Sequence, residues 1–298
     1  MSEKRETILR LRQDETGRIT DVKVEQRPVP EPELLTVIEL KPETKVTFLR
    51  DLTEGSIVDW GDGTKSAVTA EEAKAKEVTH TYTATSTANR IVTIDGVIDR
   101  TGEPTASAFD PIALTAVRSL GGGLRGEAEG LFYGCSSLTA IPEGLFDHCT
   151  EVTDFSSCFS NCVSLTAIPA GLFDHCTAVI DFFGCFFSCS SLTAIPAGLF
   201  DHCTAATNFL DCFNGCSSLT AIPAGLFDHC TAVESFHSCF KLCTSLTGET
   251  PYTMVNGKKV KLWERSPENG FGKVYDTKFC FYKCAKLSDY AKIPRDWK

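Results

Sequence analysis

No stretch of this 298-residue chain reaches the roughly 18 apolar residues that a membrane-crossing helix needs, so no membrane insertion is expected. The opening Met-Ser-Glu-Lys-Arg-Glu-Thr is charged and leads into no apolar export segment, so the sequence predicts cytoplasmic synthesis without signal-directed secretion. Positive charge is scarce in the middle. Between Cys135 and Thr247 ten acids face one base, Lys241, a net of −9 that repels phosphate backbones and argues against nucleic acid as a partner. The four regular repeats described below contain no Trp, Tyr or Arg, the commonest interface anchors. A phosphate cradle is also lacking, because Gly121-Gly-Gly-Leu-Arg-Gly has neither the lysine nor the strand–loop–helix setting of one, and reads as a flexible joint.

What the chain does have is a period. Cys135, Cys162, Cys189, Cys216 and Cys243 stand 27 residues apart, and four copies fill 135–161, 162–188, 189–215 and 216–242. A fixed period of that length points to stacked coils, each burying its apolar edge on its neighbours. Every copy contains Ser-Leu-Thr-Ala-Ile-Pro, a short extended phrase stopped by proline and read as a strand. In the second half of the first copy Val152, Phe155, Cys158, Phe159 and Cys162 fall at i, i+3, i+6, i+7 and i+10, which predicts a short helix with one apolar stripe. A degenerate coil is expected to begin near Pro111, with Leu114 and Val117 and then Leu131 and Phe132.

Fifteen cysteines are an odd number for a disulfide framework, and thirteen of them recur at repeat positions. Burial as small hydrophobes accounts for them best, with disulfide pairing and metal binding as the other readings. Cys158, Cys162, Cys185, Cys189, Cys212 and Cys216 are accordingly assigned to the core. Asp-His-Cys recurs at 147–149, 174–176, 201–203 and 228–230. Adjacent residues make a poor nucleophile–base pair and four copies of one active site are implausible, so no enzyme, no metal site and no cofactor is expected. The histidines read as solvated loop positions.

Upstream, 7–26 alternate around a polar turn and predict a β-hairpin, followed by a stiff proline-rich linker, Arg-Pro-Val-Pro-Glu-Pro-Glu-Leu. From about Leu35 to Ile98 the pattern is all-β, with a charged helical insert at 70–77. Trp60 suits a plug in that core, the glycines beside it suit a tight turn, and Asp62 suits a turn cap. Two acids without an oxygen-rich loop are weak calcium ligands, so turn chemistry is preferred over a metal. Asp59-Trp60-Gly61-Asp62-Gly63, followed by His80-Thr81-Tyr82, resembles the signature of PKD domains, which implies an Ig-like β-sandwich.

The repeated phrase Val-x-Asp-Phe-x-x-Cys-Phe-x-x-Cys-Ser-Ser-Leu-Thr-x-Ile-Pro resembles the BspA-like leucine-rich repeats of bacterial surface proteins, over about 60% of the chain. That resemblance implies β-α coils and adhesion or partner binding. The expected fold class is therefore α+β multidomain: an Ig-like β-sandwich followed by an α/β leucine-rich-repeat solenoid with 27-residue coils. The expected divisions are an N-terminal hairpin and linker (1–30), the sandwich (31–105), the solenoid (111–247) and a C-terminal hairpin with a capping coil (248–298). The last division carries eleven bases and six acids, and Asn256-Gly257 suits a type I′ hairpin turn. Phe279-Cys-Phe and Cys284 reproduce a final coil that closes the apolar end.

The four copies also compare with one another. The strand and loop phrase is nearly constant, whereas the second half varies at Phe183, Phe187, Leu210, Asp211, His237 and Lys241, between core positions. These six residues are the candidate binding set, for a protein or glycan ligand. The expected function is non-enzymatic binding or adhesion at a bacterial surface. The alternative is a decoration or receptor-binding component of a phage virion or tail-like particle, with the N-terminal hairpin docking to a larger assembly. The expected location is the extracellular surface or the virion exterior.

Overall fold

The computed structural model describes residues 5–13, 19–28, 35–84, 86–101, 107–121 and 124–298, the first two stretches as backbone alone. β1 (Arg5–Gln13) and β2 (Ile19–Pro28) pair antiparallel from Arg5↔Pro28 to Gln13↔Ile19. The turn between them, and most of the proline-rich linker after them, lie outside the described residues.

The next eight strands are β3 (Thr36–Leu40), β4 (Val46–Arg50), β5 (Ile57–Asp59), β6 (Lys65–Ala67), β7 (Glu77–Thr81), β8 (Arg90–Asp95), β9 (Ile98–Arg100) and β10 (Leu114–Ser119). A single α-helix, α1 (Ala70–Ala75), interrupts them between β6 and β7. The sequence starts that helix with a capping box, since the Thr69 hydroxyl accepts from the Glu72 N–H and the Glu72 carboxylate accepts from the Thr69 N–H. Five strands form one sheet in the order β10-β3-β8-β5-β6, and β4 pairs separately with β7. Trp60 is fully buried between them, with its indole N–H on the Ser66 hydroxyl at 2.9 Å and the Tyr82 hydroxyl on its carbonyl at 3.1 Å. Asp62 caps the turn after it, accepting from the Thr64 N–H (3.0 Å) and hydroxyl (2.6 Å) and bonding the His80 ring at 2.9 Å. The His80 ring in turn lies flat on Trp60 at 4.6 Å. Gly61 has φ +73°, and a Cβ there would sit 2.3 Å from the Ile91 carbonyl oxygen, so only glycine fits.

Two expectations need correction. The first concerns the boundary. Leu114 and Val117 do not open a coil, because β10 is an edge strand whose residues pair with β3 (Leu114↔Leu40, Val117↔Ile38). Continuity of the backbone ladder decides this, since a lone coil edge offers β10 no such partner. The joint expected at 121–126 holds a short strand, β11 (Leu124–Gly126), parallel to β9; residues 122–123 lie outside the described set.

The second correction is to the fold class. The protein is not an Ig-like sandwich joined to an α/β leucine-rich-repeat solenoid; it is a mostly-β protein of small sheets, with one α-helix and no solenoid sheet among the described residues. Consecutive 27-residue coils do stack, but through turns. Where a helix was expected, residues 155–162 form two tandem four-residue turns. The N–H groups of Cys158, Ser160 and Cys162 bond the carbonyls three residues back, while those of Phe155, Ser157, Phe159 and Asn161 bond Asp181, Phe183, Cys185 and Phe187 of the next coil. Ser157 (φ 55°) and Asn161 (φ 61°) take the left-handed conformation, which no α-helix tolerates. Gly184 and Ser188, Asp211 and Gly215, and Ser238 and Leu242 repeat that pattern. Where a strand was expected, the sheet stops at single residues. In the Leu-Thr-Ala phrases Thr166, Thr193 and Thr220 bond the previous coil, as Thr193 N–H to the Thr166 carbonyl (3.2 Å), but the proline three residues later has no N–H to extend the ladder. Only isolated parallel bridges remain, among them Asp154↔Asp181, Asp181↔Asn208 and Ala167↔Ala194.

Aromatic columns fill the interior of the stack. Phe109, Phe132, Phe159, Phe186, Phe213, Phe240 and Phe281 form one stacked ladder with ring spacings from 5.2 to 5.7 Å, so the sheet region's Phe109 is its first rung. Phe155, Phe182, Phe209 and Phe236 form a second ladder, and Phe146, Phe173, Phe200 and Phe227 a third that meets it edge-on. At the far end β12 (Tyr252–Val255) and β13 (Lys258–Lys261) make a hairpin whose turn residues, Asn256 and Gly257, both have positive φ. Trp297 lies on Phe281 and against Phe236, ending two of the ladders.

Candidate functional site

The tandem turns position the six candidate residues. Phe183, Leu210 and His237 occupy equivalent places in successive coils, and Phe187 and Lys241 occupy a second column four residues further on. Asn214 stands between the latter two and is buried. Each of these residues offers its carbonyl to a left-handed residue of the coil before. The Ser157 N–H bonds the Phe183 carbonyl (2.7 Å), Gly184 bonds Leu210 (2.8 Å) and Asp211 bonds His237 (2.9 Å). Asn161 bonds Phe187 (2.7 Å) and Gly215 bonds Lys241 (2.8 Å) in the second column.

Their own N–H groups are spoken for as well. Phe183 bonds the Asp181 carboxylate (2.6 Å), Leu210 the Asn208 amide oxygen (3.0 Å) and His237 the Ser235 hydroxyl (3.3 Å). The backbone N–H groups of these coils on this face are therefore committed to the framework, and side chains are left to reach outward. The structure brings all six candidates to this one face. Phe183 is 40% exposed; Phe187, Leu210, Asp211, His237 and Lys241 are half-buried. Asp211 sits in a left-handed position and accepts from the Asn214 amide at 2.7 Å.

Carboxylates line the edge beside the Phe183 column. Asp154 and Asp181 bridge in parallel, the Asn208 amide donates to both oxygens of Asp181 at 3.1 Å, and Asp276 bonds the His237 ring at 2.9 Å. Burial, helped by the neighbouring Asp181 and Glu127 charges, raises the Asp154 carboxyl above its ordinary value, and the hydrogen bonds from Ser156 offset only part of that rise.

The remaining candidates are structural. Cys158, Cys162, Cys185, Cys189, Cys212 and Cys216 are fully buried, the other nine cysteines are buried as well, and all are free thiols. Cys162, Cys189 and Cys216 direct their sulfurs at the carbonyls of Phe132, Phe159 and Phe186, each at 3.2 Å. The thiol thus fills a small apolar space and partners a carbonyl of the previous coil. Desolvation drives these thiols well above their ordinary values, the opposite of what a nucleophile needs. His148, His175, His202 and His229 are exposed at the coil edge. Among the described residues no three His, Cys, Asp or Glu side chains converge as a metal site, and no helix is long and apolar enough to cross a membrane.

Sequence reasoning missed the last coil's contribution. Phe279 and Tyr282 are exposed on the same turn face, beside Lys283. The signal was present: in Lys-Phe-Cys-Phe-Tyr-Lys-Cys, 278–284, Lys278-Phe279 and Tyr282-Lys283 align with His237-Ser238 and Lys241-Leu242, and both left-handed positions are kept. No protein-family model matches the chain, and no curated protein matches it.

Proposed function

We propose that this chain is a non-enzymatic binding protein that holds a macromolecular partner, protein or glycan, on the outward face of its tandem turns. One observation carries the reading: across 156–161, 183–188, 210–215 and 237–242 the backbone N–H groups of that face are taken up by hydrogen bonds within and between coils, while its side chains differ from coil to coil. A rigid frame with free, variable side chains serves recognition at little entropic cost. The buried, undissociated thiols fit the same reading.

Photo-crosslinking in the native source tests it. A benzophenone side chain placed at Phe183 or Leu210 should give adducts that the same group at Thr193, on the constant face, does not; equal adducts from both faces would reject the assignment. A bacterial surface is the leading location. Fifteen free thiols also suit assembly in a reducing compartment, which favours a particle component as the second reading. Protease treatment of intact cells against purified extracellular particles separates the two.

A further inference from the structure

The last coil departs from the others in one respect that stability does not explain. At the first left-handed position of the tandem turns stand Gly130, Ser157, Gly184, Asp211 and Ser238, all small or locally hydrogen-bonding, and then Phe279 at φ 60°. A bulky residue in that region is an outlier, and such outliers cluster at functional sites. Phe279 gains little compensating burial, since the residue is 45% exposed. Instead it is fixed in place: its N–H bonds the Asp296 carbonyl (3.1 Å) and its carbonyl accepts from Tyr282 (3.0 Å).

Around it stands a cluster of rings and cations. Tyr282, 38% exposed, meets Phe279 edge-on at 5.8 Å, and His237, held by Asp276, meets it at 6.2 Å. The Lys241 ammonium lies 5.9 Å from the Phe279 ring, and that of Lys283, also left-handed at φ 65°, lies 5.6 Å from the Tyr282 ring. Residues 248–298 carry a net charge of +5 against −9 for the stack.

We propose that this patch binds a carboxylated glycan chain, a deepening that rests on the binding function proposed above. Exposed flat rings suit the apolar C–H faces of pyranose units, and the two ammoniums suit carboxylates spaced along a chain. A peptide adding itself to an edge needs free backbone donors and acceptors, but the Leu242 N–H is spent on the Tyr282 carbonyl (2.9 Å) and the Tyr282 N–H on Phe279. A nucleic-acid strand would bring a phosphate at every unit against the adjoining acidic stack.

The test uses the full chain and three uronic-acid polymers, polygalacturonate, alginate and hyaluronan, with methyl-esterified polygalacturonate and oligodeoxythymidylate as comparisons. The proposal expects at least one uronate to bind with affinity falling steeply with salt, and the methyl ester to bind at least tenfold more weakly. Phe279→Gly removes the ring while relieving the left-handed strain, so it should lose tenfold or more in affinity with an undiminished unfolding midpoint. Lys241→Gln with Lys283→Gln should lose as much. Failure of all three uronates, equal binding of the ester, preference for the oligonucleotide, or full binding by Phe279→Gly would each overturn it. The crosslinks at Phe183 and Leu210 report on the wider binding function independently of these results.

Discussion

The Glu127 carboxylate accepts from the backbone N–H of Thr153 at 2.9 Å, and adds the Thr153 hydroxyl (2.8 Å) and the Asp154 N–H (2.8 Å). In every later coil the equivalent pair of N–H groups bonds a backbone carbonyl of the coil before. Ile180 and Asp181 bond Thr153, Thr207 and Asn208 bond Ile180, and Glu234 and Ser235 bond Thr207. Glu127 thus supplies by side chain what a preceding coil would have supplied by backbone. At this junction with the first regular coil it satisfies two part-buried N–H groups that would otherwise be left without protein partners.

Glu127→Ala should therefore destabilise the protein by about 2 kcal/mol, the range for losing charge-assisted bonds and stranding their donors. Glu127→Gln keeps one acceptor oxygen and should recover part of the loss. Urea unfolding monitored by circular dichroism measures both. An alanine variant within about 0.5 kcal/mol of the parent would show that water replaces the carboxylate freely.

Thiol titration checks the interior. Burial pushes Cys135 and Cys149 up to about 12, and it holds the fully buried thiols of the stack well above their ordinary value. Since the thiolate is the reactive species, an aromatic disulfide reagent at pH 8 should leave the native protein almost untouched. In denaturant, without reductant, about ten or more thiols should react at once. A yield below about five would mean that the cysteines are paired.

The inside of the stack was legible in the sequence, but its backbone was not. Val152, Phe155, Cys158, Phe159 and Cys162 are all buried, as their spacing implied. A four-residue turn that points its first and last residues inward places 155, 158, 159 and 162 on one side. Over two turns a 3.6-residue helix does nearly the same. Hydrophobic period alone cannot separate the two at that length. The discriminating signal lay in the outward residues, where Gly134, Asn161, Gly184, Asp211 and Gly215 mark left-handed positions that a helix would not choose. Proline in each Ile-Pro likewise marked where a strand could not continue. The candidate face was found from variation between copies, and its final coil was overlooked because 248–275 interrupts the period.

Acid sensitivity should locate in the turn after Trp60. Burial acts to raise the Asp62 carboxyl, but hydrogen bonds from Thr64 and His80 outweigh it and hold the group at about 2. A carboxyl depressed in the folded state adds stability that is complete above its ordinary value, near 3.9, and vanishes as the pH falls towards 2. Urea stability of the parent should fall across pH 4 to 2, and Asp62→Asn should flatten that fall while costing about 1 kcal/mol at neutral pH. Parallel pH curves for the two proteins would assign the acid sensitivity to another group.

The opposite end of the stack is closed by different means. The N–H groups of Phe279 and Phe281 bond the carbonyls of Asp296 and Trp297, and the Trp297 ring covers Phe281 and Phe236. Arg265 closes the third ladder, donating to the carbonyls of Phe227 (2.7 Å) and Cys230 (3.1 Å). Trp297→Ala removes a nearly buried indole and should cost about 3 kcal/mol in chemical unfolding. A chain ending at Lys241 loses all of these contacts and leaves Phe236 and Phe240 facing water beside unpaired backbone. Such an edge is a template for association, so the truncated chain should elute as aggregates whose size grows with concentration. A truncated chain that stays monomeric in sedimentation, with the parent's spectrum, would show that the coils hold themselves together and that 242–298 serves only the binding face.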